Sequence, residues 1–367
     1  MADIGLPKLD IIFKGLGVSA IKRGTRGVAI LIIKDDTNKT FDFATYNSYA
    51  DLTSTEQAKY TATNLQYIKD VLDGVPLKVI VARMDKTAGV LADLLAKVKG
   101  VAPRNCWIGI AEGATADHDA LVTWVKTENL NNKRCYKAMV YKATAPDSMA
   151  VVNFYNDSVT FADSRAVQTG DKAISAILGF FAGLPLDMSG IGKFLSYKFK
   201  AVVEPAITET AINQGKLVLY SEDGNVKVAR AVNSLQTVGQ DVTDDMKYVL
   251  IVEQMHLVFT DIYDTWNNFF KGKYKNFMDN QLLLIGAINS YFEGLENDLI
   301  LDPNYENKSS IDIEAQRLAN VPKYGTNVVN SWDDKQAMTM TVGTNLFLQA
   351  NVKFLNAFED MKLNIFM

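Results

Sequence analysis

The sequence predicts a mixed fold, with an α/β layer in the first half of the chain and an α+β region after it. Helices and strands alternate between about residues 28 and 190, strands with one apolar face follow residue 194, and two long amphipathic helices come after these strands. Alternation of helices and strands is typical of a partly parallel sheet that is covered by helices. We therefore expect an α/β domain over residues 21–193 and an α+β domain over residues 194–345.

The elements of the α/β domain follow from apolar runs and from the residues that interrupt them. The nearly continuous apolar run 28–33 predicts a strand that is buried on both faces. Gly74 with Pro76, and later Gly183 with Pro185, are typical of helix ends. Further strands are expected at residues 77–82 and around Cys106 and Cys135, and helices are expected at residues 55–72, 90–98, 119–125 and 174–181.

The α+β domain begins with strands whose side chains alternate. Residues 195–203 alternate between apolar and polar, which predicts a strand with one buried face. Asp223 and Gly224 lie between two further strand patterns, at residues 216–220 and 226–230. An Asp-Gly pair in that place predicts a β-hairpin.

Two helices follow the hairpin. The first is expected to start at Thr243, which can cap it, and Asp244 and Asp245 suit the positive end of the helix dipole. Its apolar seam of steps of three and four residues predicts that most of it is core. The second helix is expected at about residues 280–295.

Both ends of the chain have the pattern of amphipathic strands. The apolar members are Leu9, Ile11 and Phe13 near the N-terminus, and Met361, Leu363, Ile365 and Met367 at the C-terminus. A lone strand carries unpaired N–H and C=O groups that favour pairing with another strand. Two interpretations stay open: the two strands close the chain's own sheet, or they are exchanged with other copies of the chain.

Composition favours an ordinary globular protein. Of the 367 residues, 48% are apolar and 22% are charged, and the net charge is −4. No basic surplus attracts a nucleic acid, and no apolar run reaches the length of about 18 residues that a membrane span needs. We expect no nucleic-acid partner and no membrane insertion. The N-terminus does not have the pattern of a signal peptide, so we expect Cys106 and Cys135 to be buried free thiols.

Residues that carry chemistry are few and scattered. His118 and His256 are the two histidines, they lie in different regions, and no Cys, His and Asp set has the spacing of a zinc site. Residues 190–193, Gly-Ile-Gly-Lys, lack the first glycine and the Ser or Thr of a phosphate-binding loop, so we expect a turn there. The aspartates near Thr243 lack the spacing of a calcium loop. We expect no catalytic, cofactor-binding or metal-binding residue, no cofactor and no enzymatic activity.

Four stretches between about residue 211 and the end resemble a known family. They are residues 212–219, 223–235, 284–292 and 311–316. Together they are similar to the sheath proteins of contractile bacteriophage tails and R-type bacteriocins, in the smaller form found in Clostridium- and Bacillus-like prophages. The order of N-terminal arm, α/β domain and C-terminal strand is also the order that this family uses.

The resemblance implies a structural protein that works as a polymer. Family members stack as hexameric rings around a tail tube and contract on a baseplate signal, without nucleotide hydrolysis. The resemblance also implies an outer α/β domain inserted between an N-terminal exchange arm, residues 1–20, and a sheath core domain, residues 194–345. A C-terminal arm, residues 346–367, follows. The core sheet is completed by strands from neighbouring subunits. Expected partners are further copies of the chain, the tube protein, and the baseplate and tail terminator proteins.

Specific residues acquire roles within this arrangement. The seven apolar residues of the two ends become the exchanged strands. Gly15, Gly17, Gly24 and Gly343 are hinge candidates, because hinges absorb large changes of backbone angle. In the core domain, which we expect to lie against the tube, Asp312, Glu314 and Arg317 are candidates for contacting it by charge complementarity. A plain solvated helix is the alternative for these three residues.

Two rival functions remain at this stage. An α/β enzyme or nucleotide-binding protein that oligomerises through its termini fits the fold class, although it needs a phosphate loop or an acid and base pair. A tail-tube or surface-layer protein is also structural, but a tube protein is normally a shorter, mostly β chain. The expected location is a virion or a released phage-tail-like particle that is assembled in the bacterial cytoplasm.

Overall fold

The computed structural model describes residue 21 and residues 27–366, which contain strands and helices in both halves. The strands are β1 (Val28–Lys34), β2 (Phe43–Tyr46), β3 (Lys78–Met84), β4 (Asn105–Ile110), β5 (Cys135–Tyr141), β6 (Val151–Phe154), β7 (Ser158–Phe161), β8 (Val167–Thr169), β9 (Phe199–Val202), β10 (Lys216–Leu217), β11 (Leu219–Glu222), β12 (Asn225–Val228), β13 (Lys308–Ile311) and β14 (Leu348–Asn351). The helices are α1 (Ser54–Gln57), α2 (Ala62–Asp73), α3 (Leu91–Val101), α4 (Thr115–Asn132), α5 (Ile174–Gly183), α6 (Thr208–Asn213), α7 (Val249–Thr265), α8 (Met278–Asn297), α9 (Ile313–Tyr324), α10 (Thr326–Asn330) and α11 (Asp334–Thr339).

The chain divides into two compact units. The large unit comprises the described residues 27–260 and 356–366, and the small unit comprises residues 261–355. This division differs from the predicted domain boundary at residue 193. Strand β9 lies after that boundary and pairs with β7 before it, in one small sheet with β8. Alternation of side chains identifies a strand, but it does not say which sheet the strand joins.

A seven-stranded sheet forms the centre of the large unit, with the order β10-β6-β5-β4-β1-β3-β2. All neighbouring pairs are parallel except β2 with β3. Helices α2 and α5 cover one face, while α3 and α4 cover the other. Strand β1 is central and its side chains from Val28 to Ile33 are fully buried, as expected for a strand between two helical layers. The predicted mixed α/β fold class is confirmed.

Glycines allow α2 and α5 to pack closely. A Cβ atom added to Gly179 would lie 2.2 Å from the carbonyl oxygen of Val71, and one added to Gly74 would lie 2.0 Å from the carbonyl carbon of Gly179. Any side chain at these places forces the helices apart, since real Cβ contacts are not this short. Gly74, which ends α2 in the sequence pattern, and Gly179 within α5 therefore set the distance between the two helices.

Three predicted elements differ in detail from those observed. The helix expected at residues 55–72 is interrupted, because Thr61 caps α2 and donates its N–H to the Asp35 carboxylate at 2.8 Å. Leu195 accepts hydrogen bonds from Lys198 and Phe199, so residues 195–198 form a turn and only Phe199–Val202 is strand. Thr243 makes no side-chain cap: a 3₁₀ turn, Asp244–Lys247, precedes α7. The Asp-Gly hairpin is confirmed by the pairing of β11 with β12.

The small unit combines helices with a two-stranded sheet. Helix α8 packs along β13, which pairs antiparallel with β14. Helices α9, α10 and α11 surround Trp332, which packs with Val329 and Ala337. A π-helical turn, Trp266–Phe270, follows α7.

Candidate assembly interface

The cysteines and histidines that the sequence offered for chemistry are buried. Cys106 and Cys135 are buried free thiols, and burial raises the pKa of Cys106 to about 12. Burial, reinforced by the charge of Lys137, lowers the pKa of His256 to about 3. Lys193 donates its N–H to the carbonyl of Gly190, so residues 190–193 form the predicted turn. In the described part of the chain, no three potential metal ligands come together and no helix is long and apolar enough to cross a membrane.

The small sheet of β13 and β14 has two different edges. Its register places Ser309 opposite Ala350 and Ile311 opposite Leu348. Asp312 donates its N–H to the carbonyl of Phe347 at 3.0 Å. Since bonded and non-bonded pairs alternate in an antiparallel ladder, Ser309 and Ile311 direct their N–H and C=O groups away from β14, and Leu348 and Ala350 direct theirs away from β13.

The outer edge of β13 is occupied by a side chain of α8. The N–H of Ser309 donates to Oδ1 of Asn289 at 2.7 Å, and Nδ2 of Asn289 donates to the carbonyl of Ser309 at 3.3 Å. This primary amide makes both hydrogen bonds that a residue of an adjacent strand would make. The side chains of Ser309 and Ile311 are buried. The outward N–H and C=O groups of Ser309 are therefore satisfied within the small unit.

The outer edge of β14 is different. Within residues 27–366, no hydrogen-bond partner is found for the N–H groups of Leu348, Ala350 and Val352. Gln349, Ala350 and Asn351 are exposed, whereas Leu348 is half-buried. A row of outward N–H and C=O groups on an exposed strand favours the addition of another strand.

The chain after β14 is fixed before it leaves the small unit. The N–H of Lys353 donates to Oδ1 of Asn307, and the carbonyl of Lys353 accepts from Asp302. Nζ of Lys353 lies 2.8 Å from Oδ2 of Asp302, and this hydrogen bond lowers the pKa of the Asp302 carboxyl. These contacts fix the backbone at Lys353, two residues after the end of β14.

The C-terminal segment, residues 356–366, is held in the large unit at one point. Arg230 contacts Oε2 of Glu359 at 3.3 Å and Oδ1 of Asp360 at 2.6 Å, and the hydroxyl of Ser189 donates to Oε1 of Glu359 at 2.7 Å. No helix or strand is formed after residue 355 up to residue 366. The large apolar side chains of this segment are exposed; they are Phe358, Met361, Leu363, Ile365 and Phe366. Five exposed apolar residues in one short segment are typical of a surface that another chain covers.

The predicted exchange residues are partly within the described chain. Met361, Leu363 and Ile365 are exposed and form no strand in the described chain, so their exchange with other copies stays a prediction. Leu9, Ile11, Phe13 and Met367 lie outside the described residues, as do the hinge candidates Gly15, Gly17 and Gly24.

The fourth hinge candidate lies in a turn of the small unit. Gly343 has a φ of +49°, and no atom lies within 4 Å of a Cβ added there. Asn345 donates its N–H to the carbonyl of Val342, and Nδ2 of Asn276 donates to the carbonyls of Gly343 and Asn345. Gly343 readily adopts the positive φ of this turn, and the Asn276 side chain fixes the turn by its hydrogen bonds. A hinge role for Gly343 stays a prediction.

The three tube-facing candidates have different surroundings. Asp312 caps α9 by accepting the N–H of Ala315 at 2.9 Å. Arg317 is mostly buried and donates to Oδ1 of Asp334 at 2.7 Å and to the carbonyl of Trp332 at 3.0 Å. The Glu314 side chain is 87% exposed. Two of the candidates therefore stabilise the small unit, and Glu314 is the one that presents a charge to solvent.

Sequence reasoning missed Asn289, the β14 edge and Arg230. The alternation of Leu348, Ala350 and Val352 with Gln349 and Asn351 is a strand signal that could have located β14. An Asn within an amphipathic helix and a single Arg carry no periodic signal, since their partners are distant in sequence.

Comparison with known proteins agrees with this geometry. Residues 241–367 match the family model described as the phage tail sheath C-terminal domain. A curated tail sheath protein from Clostridium phage phiCD119 is 26% identical over 373 residues, which cover 98% of this chain and 99% of that protein.

Solved structures share the fold at low sequence identity. A sheath tail protein from Listeria innocua has a TM-score of 0.65 and 13% identity, covering 80% of this chain and 90% of that one. The helical sheath of the anti-feeding prophage in its contracted state has a TM-score of 0.69 and 12% identity, covering 100% of this chain and 99% of that one. The matched C-terminal domain and the full-length relative are both of tail sheath proteins, which are structural and not enzymatic. The C-terminal third of the chain matches the phage tail sheath family model, and the whole chain is similar to a curated tail sheath protein.

Proposed function

We propose that this chain is the structural subunit of a contractile tail sheath, and that it polymerises as stacked hexameric rings around a tail tube. Its terminal segments are donated to the sheets of neighbouring subunits, and contraction drives the tube through a bacterial envelope without nucleotide hydrolysis. The observation that carries this proposal is the exposed apolar C-terminal segment, together with a small sheet that has an open edge on β14. The similarity of the chain to tail sheath proteins supports the same assembly.

Strand donation suits the chemistry of the exposed C-terminal segment and of the β14 edge. An added strand gains main-chain hydrogen bonds along the acceptor edge, and alternate side chains fix its register. In residues 361–366 the apolar Met361, Leu363 and Ile365 alternate with polar Lys362 and Asn364. A one-residue slip exchanges the two faces, so this pattern specifies the register strongly.

The partners follow from a sheath in a contractile particle. One matched structure is a baseplate of the anti-feeding prophage, and we propose that this sheath also joins a baseplate at one end, encloses a tube protein and meets a terminator protein at the other end. Glu314 is the candidate for charge complementarity with the tube, because its carboxylate is exposed. Assembly takes place in the bacterial cytoplasm, and the product is part of a virion or of a phage-tail-like particle.

Electron microscopy of the purified protein tests the proposal. We expect tubes or long sleeves of regular repeat, whereas an enzyme or nucleotide-binding protein that oligomerises through its termini gives discrete oligomers. Removal of residues 1–14, or of residues 361–367, is expected to leave a folded protein that forms no sleeves. Normal sleeves from either truncation would contradict the exchange of that end.

A further inference from the structure

The Gly-Ile-Gly-Lys turn at residues 190–193 lies against the chain that follows β12. A Cβ atom added to Gly190 would lie 3.1 Å from the Cβ of Ala231, which is tighter than ordinary packing allows. A side chain at residue 190 would therefore crowd the residues after β12. The close approach brings Ser189, just before the turn, and Arg230, just after β12, to the same carboxylate.

That carboxylate belongs to Glu359 of the C-terminal segment. Oγ of Ser189 accepts the N–H of Ile191 at 3.3 Å and donates its own hydrogen to Oε1 of Glu359 at 2.7 Å. Nε of Arg230 lies 3.3 Å from Oε2 of Glu359, and its Nη2 lies 2.6 Å from Oδ1 of Asp360. The Glu359 side chain is only 5% exposed, so losing its cation is costly. We call Ser189, Arg230 and Glu359 the anchor.

The residues beyond the anchor are held differently. Residues 361–366 form no helix or strand in the described chain. Their large apolar side chains are 68–92% exposed; they are Met361, Leu363, Ile365 and Phe366. Because the polar contacts of Arg230 and Ser189 reach only residues 359 and 360, residues 361–366 can be donated to another copy while the anchor stays closed.

We propose that Ser189 and Arg230 are positioning residues for assembly: they hold Glu359 in the free subunit and continue to hold it in the sleeve. Residues 361–366 then leave the large unit from a fixed point. This rests on the proposed donation of the C-terminal segment, and it does not depend on which edge accepts that segment. The turn at residues 190–193 acquires a role as the support of the Ser189 hydroxyl.

The anchor shortens the tether of the donated residues. The N–H of Leu355 donates to the carbonyl of Ile300, and this is the last backbone hydrogen bond before the segment in the described chain. Opening the anchor therefore lengthens the free tether from the six residues 361–366 to the eleven residues 356–366. Effective concentration falls roughly as the −3/2 power of tether length, which gives about a 2.5-fold loss. Ordering even one released residue on donation costs a further factor of about five.

The concentration at which sleeves form tests the anchor. The double substitution Arg230→Gln with Glu359→Gln removes both charges, so no buried carboxylate is left without its cation. We expect it to raise this concentration about tenfold or more, whereas Arg230→Lys keeps a cation and should stay within a few-fold of the parent. Lys247→Ala, which breaks an exposed pair with Asp244, is the matched control. A lower melting temperature with an unchanged concentration would show a purely structural contact and overturn the inference.

A covalent lock distinguishes an anchor that stays closed from a latch that has to open. Arg230→Cys with Asp360→Cys in the full-length chain replaces side chains that are 26% and 79% exposed, and a short bismaleimide can join the two thiols within the unassembled subunit. The native Cys106 and Cys135 are buried and remain in place. We expect linked chains to form sleeves near the parental concentration, and chains capped with N-ethylmaleimide to need the higher one.

The opposite results are equally informative. Linked chains that form no sleeves would show that the contact has to open, and capped chains that assemble like the parent would show that it is not needed. Either result overturns the inference. Absence of sleeves from the unmodified chain would instead refute the proposed function, so the two failures are distinguishable.

Discussion

The double substitution Leu363→Ala with Ile365→Ala is predicted to weaken sleeve assembly without weakening the fold. Both side chains are in the C-terminal segment, and they are 68% and 77% exposed. Because they contribute little packing in the single chain, thermal unfolding of the unassembled protein should stay unchanged. On the proposed strand exchange, their apolar surface becomes buried when the segment is donated to another copy.

The magnitude follows from the surface that remains to be buried. Each substitution removes three carbon atoms, worth about 0.8 kcal/mol apiece on full burial. About 70% of that surface is exposed before assembly, so the pair is worth about 3 kcal/mol per subunit. This corresponds to a rise of about 100-fold in the concentration at which sleeves form.

Sedimentation of polymers over a concentration series, with electron microscopy of the pellets, measures this concentration. The matched control is Lys362→Ala with Asn364→Ala, which changes the polar face of the same segment and should leave the threshold within a few-fold of the parent. An unchanged threshold in the apolar variant, or an equal rise in the control, would refute the reasoning.

Three further predictions concern the large unit. Arg230→Ala removes the contacts to Glu359 and Asp360, so hydrogen exchange in residues 356–366 should become faster, and because the Glu359 side chain is only 5% exposed, the loss of its cation should also lower the melting temperature. Asp70→Ala leaves the cations of Arg165 and Lys198 without their fully buried partner, and should cost about 3–5 kcal/mol in chemical denaturation. The pKa of His256 is about 3 in the folded chain and 6.5 ordinarily, so the folded state binds fewer protons and stability should fall by up to about 1.4 kcal/mol per pH unit below about pH 6.5.

Each of these has its own control. Lys247→Ala breaks an exposed pair with Asp244 and should leave exchange at the C-terminal segment unchanged. Asp163→Ala removes a partly exposed partner of Arg165 and should cost much less than Asp70→Ala; equal costs would contradict the burial argument. For His256, denaturation between pH 7 and 5.5 avoids most carboxyl titration, and a flat profile in this range would show that the imidazole is not held neutral.

The local sequence pattern correctly predicted those elements whose structure is determined by residues nearby in the sequence. The apolar run from Val28 to Ile33 became the central strand, and Asp223 with Gly224 became the turn between β11 and β12. In both cases the chemistry that selects the structure lies within a few residues. Burial on both faces and a left-handed turn are visible without knowledge of the rest of the chain.

Where the structure adds to or differs from the sequence predictions, the interacting residues are distant in the sequence. The break before α2 depends on the Asp35 carboxylate, 26 residues from Thr61. Although burial opposes ionisation, hydrogen bonds from Asn64 and Thr37 lower the pKa of Asp35 to about 2. Arg317 was a candidate for contacting a tube by its charge, and its guanidinium donates to Asp334; the tube contact stays a prediction. A charge pattern does not reveal that a neighbour in space has already neutralised it.

The candidate interface was predicted in outline and not in detail. The alternation in residues 361–366 indicated a strand that needs a partner, and the described segment is exposed and without a ladder. The acceptor edge could not be foreseen, because it depends on which side of β13 is covered by α8. Asn289 from α8 occupies the outer side of β13, and its contact with Ser309 is visible only in three dimensions.

The Asn289 amide bears on how many neighbouring copies can donate a strand to one subunit. A sheet with two free edges could accept two donors, and such a monomer would give branched or amorphous networks. With one edge closed, each copy offers a single acceptor for each C-terminal donor, so the number of links per copy is fixed before assembly begins. A side-chain amide thereby limits branching, as a monomer with one donor and one acceptor group does in polymer synthesis.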